Sequence, residues 1–283
     1  MTRSETWQVV AIDKAGHRSA PKPVQLNFTN PATLLVGTSQ PPELGGPTAA
    51  GFATLASRLG RTPTLVRVFE GPTLSAHYGY GYAAGAVVSV DFKGDSNGRV
   101  SAANLANLAT FTAEAPAGTI VTFHAEASPV EMPGDPRGVQ YRASCRQVSA
   151  IVRANGCLFS CAPMAATLRG NTAGVVDWRD WVAEPDVVDR FGADTYAKNG
   201  PSGNSPGELL DPIIAGATEW GKPPAVYECG VGTNTGLPGR ATFMASVLDY
   251  AAAHGFREFI YWPGNSTYLP APTDPLWTVL GSR

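Results

Sequence analysis

Charged side chains are sparse in this sequence, and the basic ones are scattered. Lys and Arg number 21 against 23 Asp and Glu, which gives a formal net charge of -2 at pH 7. Proteins that bind nucleic acid or anionic membrane surfaces concentrate Lys and Arg on one face, and this sequence has no such cluster. We therefore expect no nucleic acid among its partners.

Long apolar runs are also lacking. No stretch approaches the roughly 18 apolar residues that a membrane-spanning helix needs, so we expect no membrane insertion. The segment Met1–Val10 has no basic region followed by an apolar run. This predicts the absence of a signal peptide.

Cysteine and histidine are rare, with four of each. Cys145, Cys157, Cys161 and Cys229 form no C-x-x-C pair, and the histidines are scattered along the chain. We therefore predict small buried cysteines or free thiols, and no metal site. No G-x-G-x-x-G pattern follows the first predicted strand, so we expect no dinucleotide and no other cofactor.

The first 30 residues differ from the rest of the chain. Apolar and polar residues alternate over Thr6–Phe28 on both sides of the segment Asp13–Gly16, which is typical of a β-hairpin. A lone hairpin is marginal in water, so we expect it to pack on the rest of the chain or on another chain. The pattern V-x-A-x-D-x-A-G-x-x-S in Val9–Ser19 resembles the end of a fibronectin type III module. A β-arm without that ancestry is the alternative.

From residue 31 onward, β-forming runs alternate with segments that favour helices. Such alternation predicts a parallel sheet. Eight units within residues 31–283 predict a closed (β/α)8 TIM barrel of the α/β class, and an open doubly wound sheet is the alternative. The predicted strands are Thr33–Thr38, Thr64–Phe69, Ala86–Phe92, Thr119–Ala125, Cys157–Ala162, Val188–Tyr196, Ala225–Cys229 and Glu258–Trp262.

Helices are predicted between several of these strands. The run Val139–Ala154 has amphipathic spacing, with Val139, Ala143, Val148, Ile151 and Val152 expected to face the core. The predicted helices are Ala49–Leu59, Ala102–Glu114, Val139–Ala154, Pro206–Trp220 and Arg240–His254.

Two of the predicted strands deliver a glutamate at their ends. Glu126 follows Thr119–Ala125, and Glu228 lies near the end of Ala225–Cys229. The C-terminal ends of parallel barrel strands meet at one cavity. A pair of carboxyl groups brought together there is the minimum equipment for cleaving a glycosidic bond.

These residues stand in an order that resembles the glycoside hydrolases of clan A. The resemblance implies an acid/base at Glu126, after the fourth barrel strand, and a nucleophile at Glu228, on the seventh. It also implies that substrate-contacting residues include Arg67, Tyr196 and Trp262, on the second, sixth and eighth strands. The Glu228-Cys-Gly segment looks like the clan's Glu-x-Gly. His124 is a further candidate for the same site.

One spacing departs from the clan pattern. The clan usually places its acid/base glutamate directly after Asn or His, whereas here Ala125 separates His124 from Glu126. Either a bulge turns Glu126 into the cavity, or Ala125 occupies the clan's acid/base position. In the second case Glu131 could act in its place, if its loop folds inward.

The whole arrangement resembles minor tail proteins of phages that infect actinobacteria, which join a fibronectin type III end to a clan-A-like barrel. This resemblance implies a virion component of the phage tail, assembled in the host cytoplasm. Its implied partners are cell-envelope polysaccharide and other tail proteins, with a homo-oligomer as one form of assembly. The first hypothesis is a retaining hydrolase of that polysaccharide. The alternatives are an inactive barrel that serves in structure or adhesion, and a host hydrolase that lacks an export signal.

Overall fold

The chain divides into two compact units, one ending at Thr33 and the other spanning Leu34–Arg283. The structure, a computed structural model, describes residues 3–9, 22–28, 33–197, 205–232, 237–264 and 268–283. In the first unit, strand Arg3–Val9 pairs antiparallel with strand Lys22–Phe28, as the alternation predicts. The turn predicted at Asp13–Gly16 lies outside the described residues, and the fibronectin type III ancestry stays a prediction.

The second unit contains eight parallel strands that close into a barrel. Each strand pairs with its successor, and the eighth pairs with the first. The predicted (β/α)8 barrel is therefore confirmed, and the open sheet is excluded. Every observed strand begins and ends within two residues of its predicted bounds. The strands are β1 Leu35–Ser39, β2 Leu65–Gly71, β3 Val87–Phe92, β4 Ile120–Phe123, β5 Leu158–Cys161, β6 Arg190–Ala197, β7 Pro224–Val231 and β8 Glu258–Tyr261.

Helices follow most of the strands, and several begin at a side-chain cap. Thr48 accepts a hydrogen bond from the Gly51 amide at 3.0 Å, and Ser101 accepts one from Asn104 at 3.1 Å. Such caps satisfy amides that lack a partner in the first turn. Between β2 and β3 a short 3-10 turn, Gly81–Ala83, takes the place of an α-helix. The helices are α1 Ala49–Leu59, α2 Ala102–Glu114, α3 Val139–Ala154, α4 Ala165–Leu168, α5 Pro206–Trp220, α6 Leu237–Ala253 and α7 Pro275–Gly281.

The buried face of α3 differs from the predicted one. Val139 is 58% exposed and Ala143 is also exposed, so their predicted inward orientation is wrong. The buried face includes Ser144 and Ser149, whose hydroxyls bond the backbone of neighbouring segments at 3.0 and 2.6 Å. Small polar residues can be buried when their hydrogen bonds are satisfied. The spacing of apolar residues alone therefore predicts the wrong buried face for this helix.

Alternate strand positions fill the barrel interior. An apolar cluster that includes Leu65, Tyr227 and Ile260 occupies it, while a larger cluster lies between the strands and the helices. Gly37 lets β1 approach β2 closely, because a Cβ there would lie 2.1 Å from the Leu65 carbonyl oxygen. Polar side chains replace this apolar filling near the C-terminal ends of the strands.

The four cysteines are free and buried, which confirms the prediction for them. In the described part of the chain, no helix combines the length and the apolar character needed to cross a membrane.

Candidate active site

A cavity of about 430 Å³ opens where the C-terminal ends of the barrel strands meet. Its walls are largely apolar, and its floor carries the carboxyl groups of Asp91, Glu126 and Glu228. A largely apolar pocket with a few convergent polar groups is typical of small-molecule and sugar sites. The other lining residues are Gln40, Pro41, Pro42, Pro47, Phe69, Lys93, Ala125, Trp262 and Gly264.

Glu126 reaches this cavity through an unusual backbone turn. Strand β4 ends at Phe123, and His124 and Glu126 then adopt left-handed conformations, with φ of 53° and 60°. Two hydrogen bonds hold the turn: Glu126 N–H donates to the Ala162 carbonyl at 2.7 Å, and Ala125 N–H donates to Asp91 Oδ1 at 3.2 Å. Left-handed non-glycine residues cost about 1–3 kcal/mol each and cluster at functional sites.

This turn bears on the alternatives that the His124-Ala-Glu126 spacing leaves open. Ala125 packs with the apolar residues of the barrel interior, and the Glu126 side chain lines the cavity. Glu131 is partly exposed and lies 3.5 Å from the Lys93 ammonium. The geometry therefore places Glu126, rather than Glu131, beside Glu228.

Glu228 is only 6% exposed and is held from two sides. One of its carboxylate oxygens lies 3.7 Å from the Arg67 guanidinium, and the other accepts a hydrogen bond from the Tyr196 hydroxyl. Burial raises the pKa of Glu228, while the charge of Arg67 and the Tyr196 hydrogen bond oppose that rise. The two neighbours therefore favour the ionised form that burial disfavours.

A third carboxyl group lies close to these two glutamates. Oxygens of Glu126, Asp194 and Glu228 all fall within 4.8 Å of one another. Asp194 projects from β6 and is fully buried. A fourth carboxyl, that of Asp91 on β3, lies 4.0 Å from Arg67. The positive charge of Arg67 therefore attracts several acidic groups at once.

The crowding of these acids changes where they titrate. Burial raises the pKa of Glu126, and repulsion from Glu228 raises it further. Burial also raises the pKa of Asp91 to about 6, against the attraction of Arg67. Carboxyl groups this close cannot all ionise easily, so the pKa values of these acids lie above the ordinary range of a carboxyl group.

His124 lies beside the cavity rather than in its wall. The ring is 3% exposed, and its Nδ1 accepts a hydrogen bond from the Gly94 amide at 3.2 Å. Burial lowers the pKa of His124 to about 4, with repulsion from Lys93 as a further cause. The ring is therefore neutral near pH 7, and it joins the end of β4 to the segment that follows β3.

Aromatic rings form one wall of the site. Trp262, which lines the cavity, lies 5.7 Å from Tyr196 between ring centroids, and Tyr268 contacts both rings. Such rings bury the apolar face of a sugar with little loss of conformational entropy.

On β1's side of the cavity, Gln40 presents a polar group. The residue is 4% exposed, and its Oε1 accepts a hydrogen bond from the Tyr82 hydroxyl at 3.0 Å. Its Nε2 is buried and has no hydrogen-bond partner among the described residues. A buried donor of this kind is costly unless a ligand or water satisfies it.

The structure thus brings Glu126, Glu228, Arg67, Tyr196 and Trp262 to one site, with His124 alongside. The sequence reasoning missed Asp91, Asp194, Gln40, Lys93 and Tyr268. The sequence does mark the two aspartates, because each is an acidic residue inside a largely apolar strand. Gln40 follows β1 directly, at the barrel end where functional residues gather.

Comparison with known proteins agrees with this fold. The GH26 domain of an endo-β-mannanase/endo-β-glucanase from Prevotella bryantii superposes with a TM-score of 0.61 at 12% identity, over 90% of each chain. A GH128 endo-β-1,3-glucanase from Sorangium cellulosum gives 0.58 at 12% identity, over 89% of this chain and 98% of its own. A fungal β-1,4-galactanase gives 0.56 at 14% identity, over 88% and 94%.

No family model and no curated protein sequence matches the chain. The structural neighbours show that the chain shares the TIM-barrel fold of glycoside hydrolases. Because a fold alone does not establish a function, the chemistry of this chain must be argued from the site itself.

Proposed function

We propose that this chain binds and cleaves cell-envelope polysaccharide by a retaining mechanism. The observation that carries the proposal is the proximity of the Glu126 and Glu228 carboxylates, whose oxygens approach within 4.8 Å. Retaining enzymes hold their two carboxyl groups about 5–5.5 Å apart, whereas inverting enzymes leave about 6.5–9.5 Å for a water molecule. An approach of single oxygens within 4.8 Å is compatible with the retaining geometry.

The environments of the two glutamates favour different roles. Glu228 lies against Arg67 and accepts the Tyr196 hydrogen bond, so its ionised form is supported for attack on the anomeric carbon. Glu126 has no ion pair among the described residues, and both burial and the charge of Glu228 raise its pKa. It is therefore suited to protonate the leaving oxygen.

The reaction then proceeds in two steps that share these groups. Glu228 forms an ester with the sugar as the glycosidic bond breaks, and the Glu126 proton passes to the departing oxygen. Glu126, now a carboxylate, next takes a proton from the water that hydrolyses the ester. Each residue returns to its starting state.

The cavity walls favour a neutral sugar chain. Trp262, Phe69 and three prolines offer apolar surface, and Gln40, which lines the cavity, carries an amide donor without a hydrogen-bond partner among the described residues. The acidic floor repels anionic sugars. The neighbouring folds are named for mannan, glucan and galactan hydrolysis, which supports neutral hexose polymers as the first substrates to test.

We also propose that the chain acts in a phage tail, together with other tail proteins and as a homo-oligomer where the tail requires one. The support is the resemblance of the first 30 residues to the end of a fibronectin type III module, followed by this barrel. Mass spectrometry of purified virions of the phage that encodes the chain tests the placement. Detection among the tail proteins is expected, and its absence from intact virions would contradict it.

Incubation with purified actinobacterial envelope polysaccharides tests the hydrolysis. Wild type is expected to release reducing ends, and Glu228→Gln to release none while it remains folded. Glu219→Gln, an exposed change on α5, is the matched control and should retain full activity. Binding without release by the wild type would instead favour the glycan-binding barrel.

A further inference from the structure

Asp194 is a fully buried acidic residue without a side-chain hydrogen bond to the described chain. Its side chain is fully buried, and neither carboxyl oxygen has a hydrogen-bond partner among the described residues. An ionised carboxylate in that state would lose its hydration without replacement, which is among the most costly arrangements in a protein interior. The hydrolytic roles assigned above do not use this residue.

Its surroundings add to that cost. Oxygens of Glu126 and Glu228 lie within 4.8 Å of an Asp194 oxygen. The other groups that interact with it electrostatically include Asp91 on β3, Cys161 on the neighbouring strand β5, and Tyr196 on its own strand. The positive charge that opposes the repulsion among these acids is that of Arg67 on β2. Its guanidinium already lies within 4.0 Å of both Glu228 and Asp91.

We propose that Asp194 is a neutral carboxylic acid at physiological pH and acts as a positioning residue that leaves the Arg67 charge to Glu228. In this state the buried set holds one fewer negative charge, and Glu228 has no charged competitor for Arg67 on β6. The benefit to Glu228 rests on the proposed function. The proton on Asp194 does not, because it follows from burial and crowding alone.

The alternative occupant of this position is a divalent cation. Three carboxylates within 4.8 Å could bind one. The Arg67 guanidinium, 3.7 Å from Glu228, opposes it. Two positive charges would then share one buried pocket. A proton removes the repulsion between the acids without that conflict.

Titration of the aspartate carboxyl carbons tests the proposal without any substrate. The wild type, Asp194→Asn and Asp91→Asn are labelled with 13C at the aspartate side-chain carboxyl and followed by NMR. Near pH 7 the wild type is expected to show a carboxyl carbon with the chemical shift of the protonated acid. That signal should vanish in Asp194→Asn and persist in Asp91→Asn. If Asp194→Asn does not fold, persistence in Asp91→Asn still assigns the signal, because Asp91 and Asp194 are the described aspartates whose pKa burial raises.

Several results would overturn the proposal. Ionised shifts for all aspartates near pH 7 would do so, as would a protonated signal that vanishes in Asp91→Asn. A third is a switch of the signal to the ionised shift when Mg²⁺ or Ca²⁺ is added, which would identify the three carboxylates as a cation site. Failure of hydrolysis with the protonated signal intact would remove the proposed function and leave the proton on Asp194 standing.

Discussion

Asp194 and Glu228 occupy the same register position on neighbouring strands β6 and β7. One step earlier Ala193 pairs with Val226, so Tyr227 is an extra residue on β7. This bulge lets Tyr227 pack in the barrel interior while the next residue, Glu228, lines the cavity. Consecutive strand residues normally face opposite sides, and a bulge is the usual means of turning one of them. The position of the proposed nucleophile therefore depends on this irregularity.

Glu126→Gln is expected to separate the acid role from the nucleophile role. A general acid contributes about 10²–10⁴-fold to turnover, so cleavage of polysaccharide should fall by about that factor. An aryl glycoside with a good leaving group needs little protonation, so its first step should be nearly unaffected. Pre-steady-state release of the aryl group measures this. Equal losses on both substrates would count against the acid role of Glu126.

Tyr196→Phe is expected to move the acidic limb of the pH profile upward. The Tyr196 hydroxyl stabilises the ionised Glu228 carboxylate, and its loss raises the pKa of Glu228. Hydrogen bonds to charged groups contribute about 1.5–3 kcal/mol, which corresponds to a shift of about one pH unit or more. The measurement is kcat/KM against pH. Tyr250→Phe, whose hydroxyl bonds Asp211 on the exposed surface, is the control, and a matching shift there would refute the assignment.

Gln40→Leu is expected to weaken substrate binding more than turnover. The substitution removes the buried Nε2 donor and keeps the side chain near its original size. One hydrogen bond contributes about 0.5–1.5 kcal/mol, so KM should rise roughly 2–10-fold. Tyr82→Phe removes the bond that orients Gln40 and should give a smaller rise. An unchanged KM in Gln40→Leu would show that its amide does not contact the substrate.

Stability is expected to fall as pH rises through the range in which Asp91 loses its proton. The unfolded chain releases that proton near pH ~3.9, whereas burial raises the pKa of Asp91 in the folded protein to about 6. Between these values the folded state binds more protons, so the free energy of unfolding decreases by about 3 kcal/mol. Asp91→Asn should flatten this part of the curve. Chemical denaturation at a series of pH values measures it, and an unchanged slope in the variant would contradict the shift.

Gly192→Ala is expected to destabilise the barrel. A Cβ at this position of β6 would lie 2.0 Å from the Tyr227 ring, and overpacking of this kind costs about 1–3 kcal/mol or more. Gly79→Ala is the matched control, because a Cβ there meets no atom within 4 Å. Thermal unfolding of both variants measures the difference. Equal melting temperatures would show that Tyr227 can move aside.

Much of the fold follows from periodicity, because strands and helices bury their residues at different spacings. Helix α1 and strand β8 are examples, since a cap at Thr48 and an apolar run ending at Tyr261 mark their limits. The prediction for the buried face of α3 is wrong at Val139. The actual buried face includes serines, which an apolar pattern does not detect. The β-forming run of strand β6 does not by itself single out Asp194. Its alternation already places Gly192, Asp194 and Tyr196 on one side.

Backbone irregularities limited what the sequence could predict about the site. The order of the strands brought Glu126 and Glu228 to one end of the barrel. The left-handed turn at His124 and Glu126 and the bulge at Tyr227 decide where the carboxyl groups point. Neither the turn at 124–126 nor the bulge at Tyr227 contains glycine, the usual marker of such conformations. Contacts from other strands over-determine these turns, so they can be read only once the barrel is assembled.

The anomeric configuration of the first sugar product tests the central claim most directly. Proton NMR during the first minutes of polysaccharide hydrolysis distinguishes the two anomers before they equilibrate. If Glu126 and Glu228 act as the close pair that the barrel brings together, the product keeps the configuration of the bond that was cleaved. An inverted product, or hydrolysis that persists in Glu228→Gln, would contradict the account.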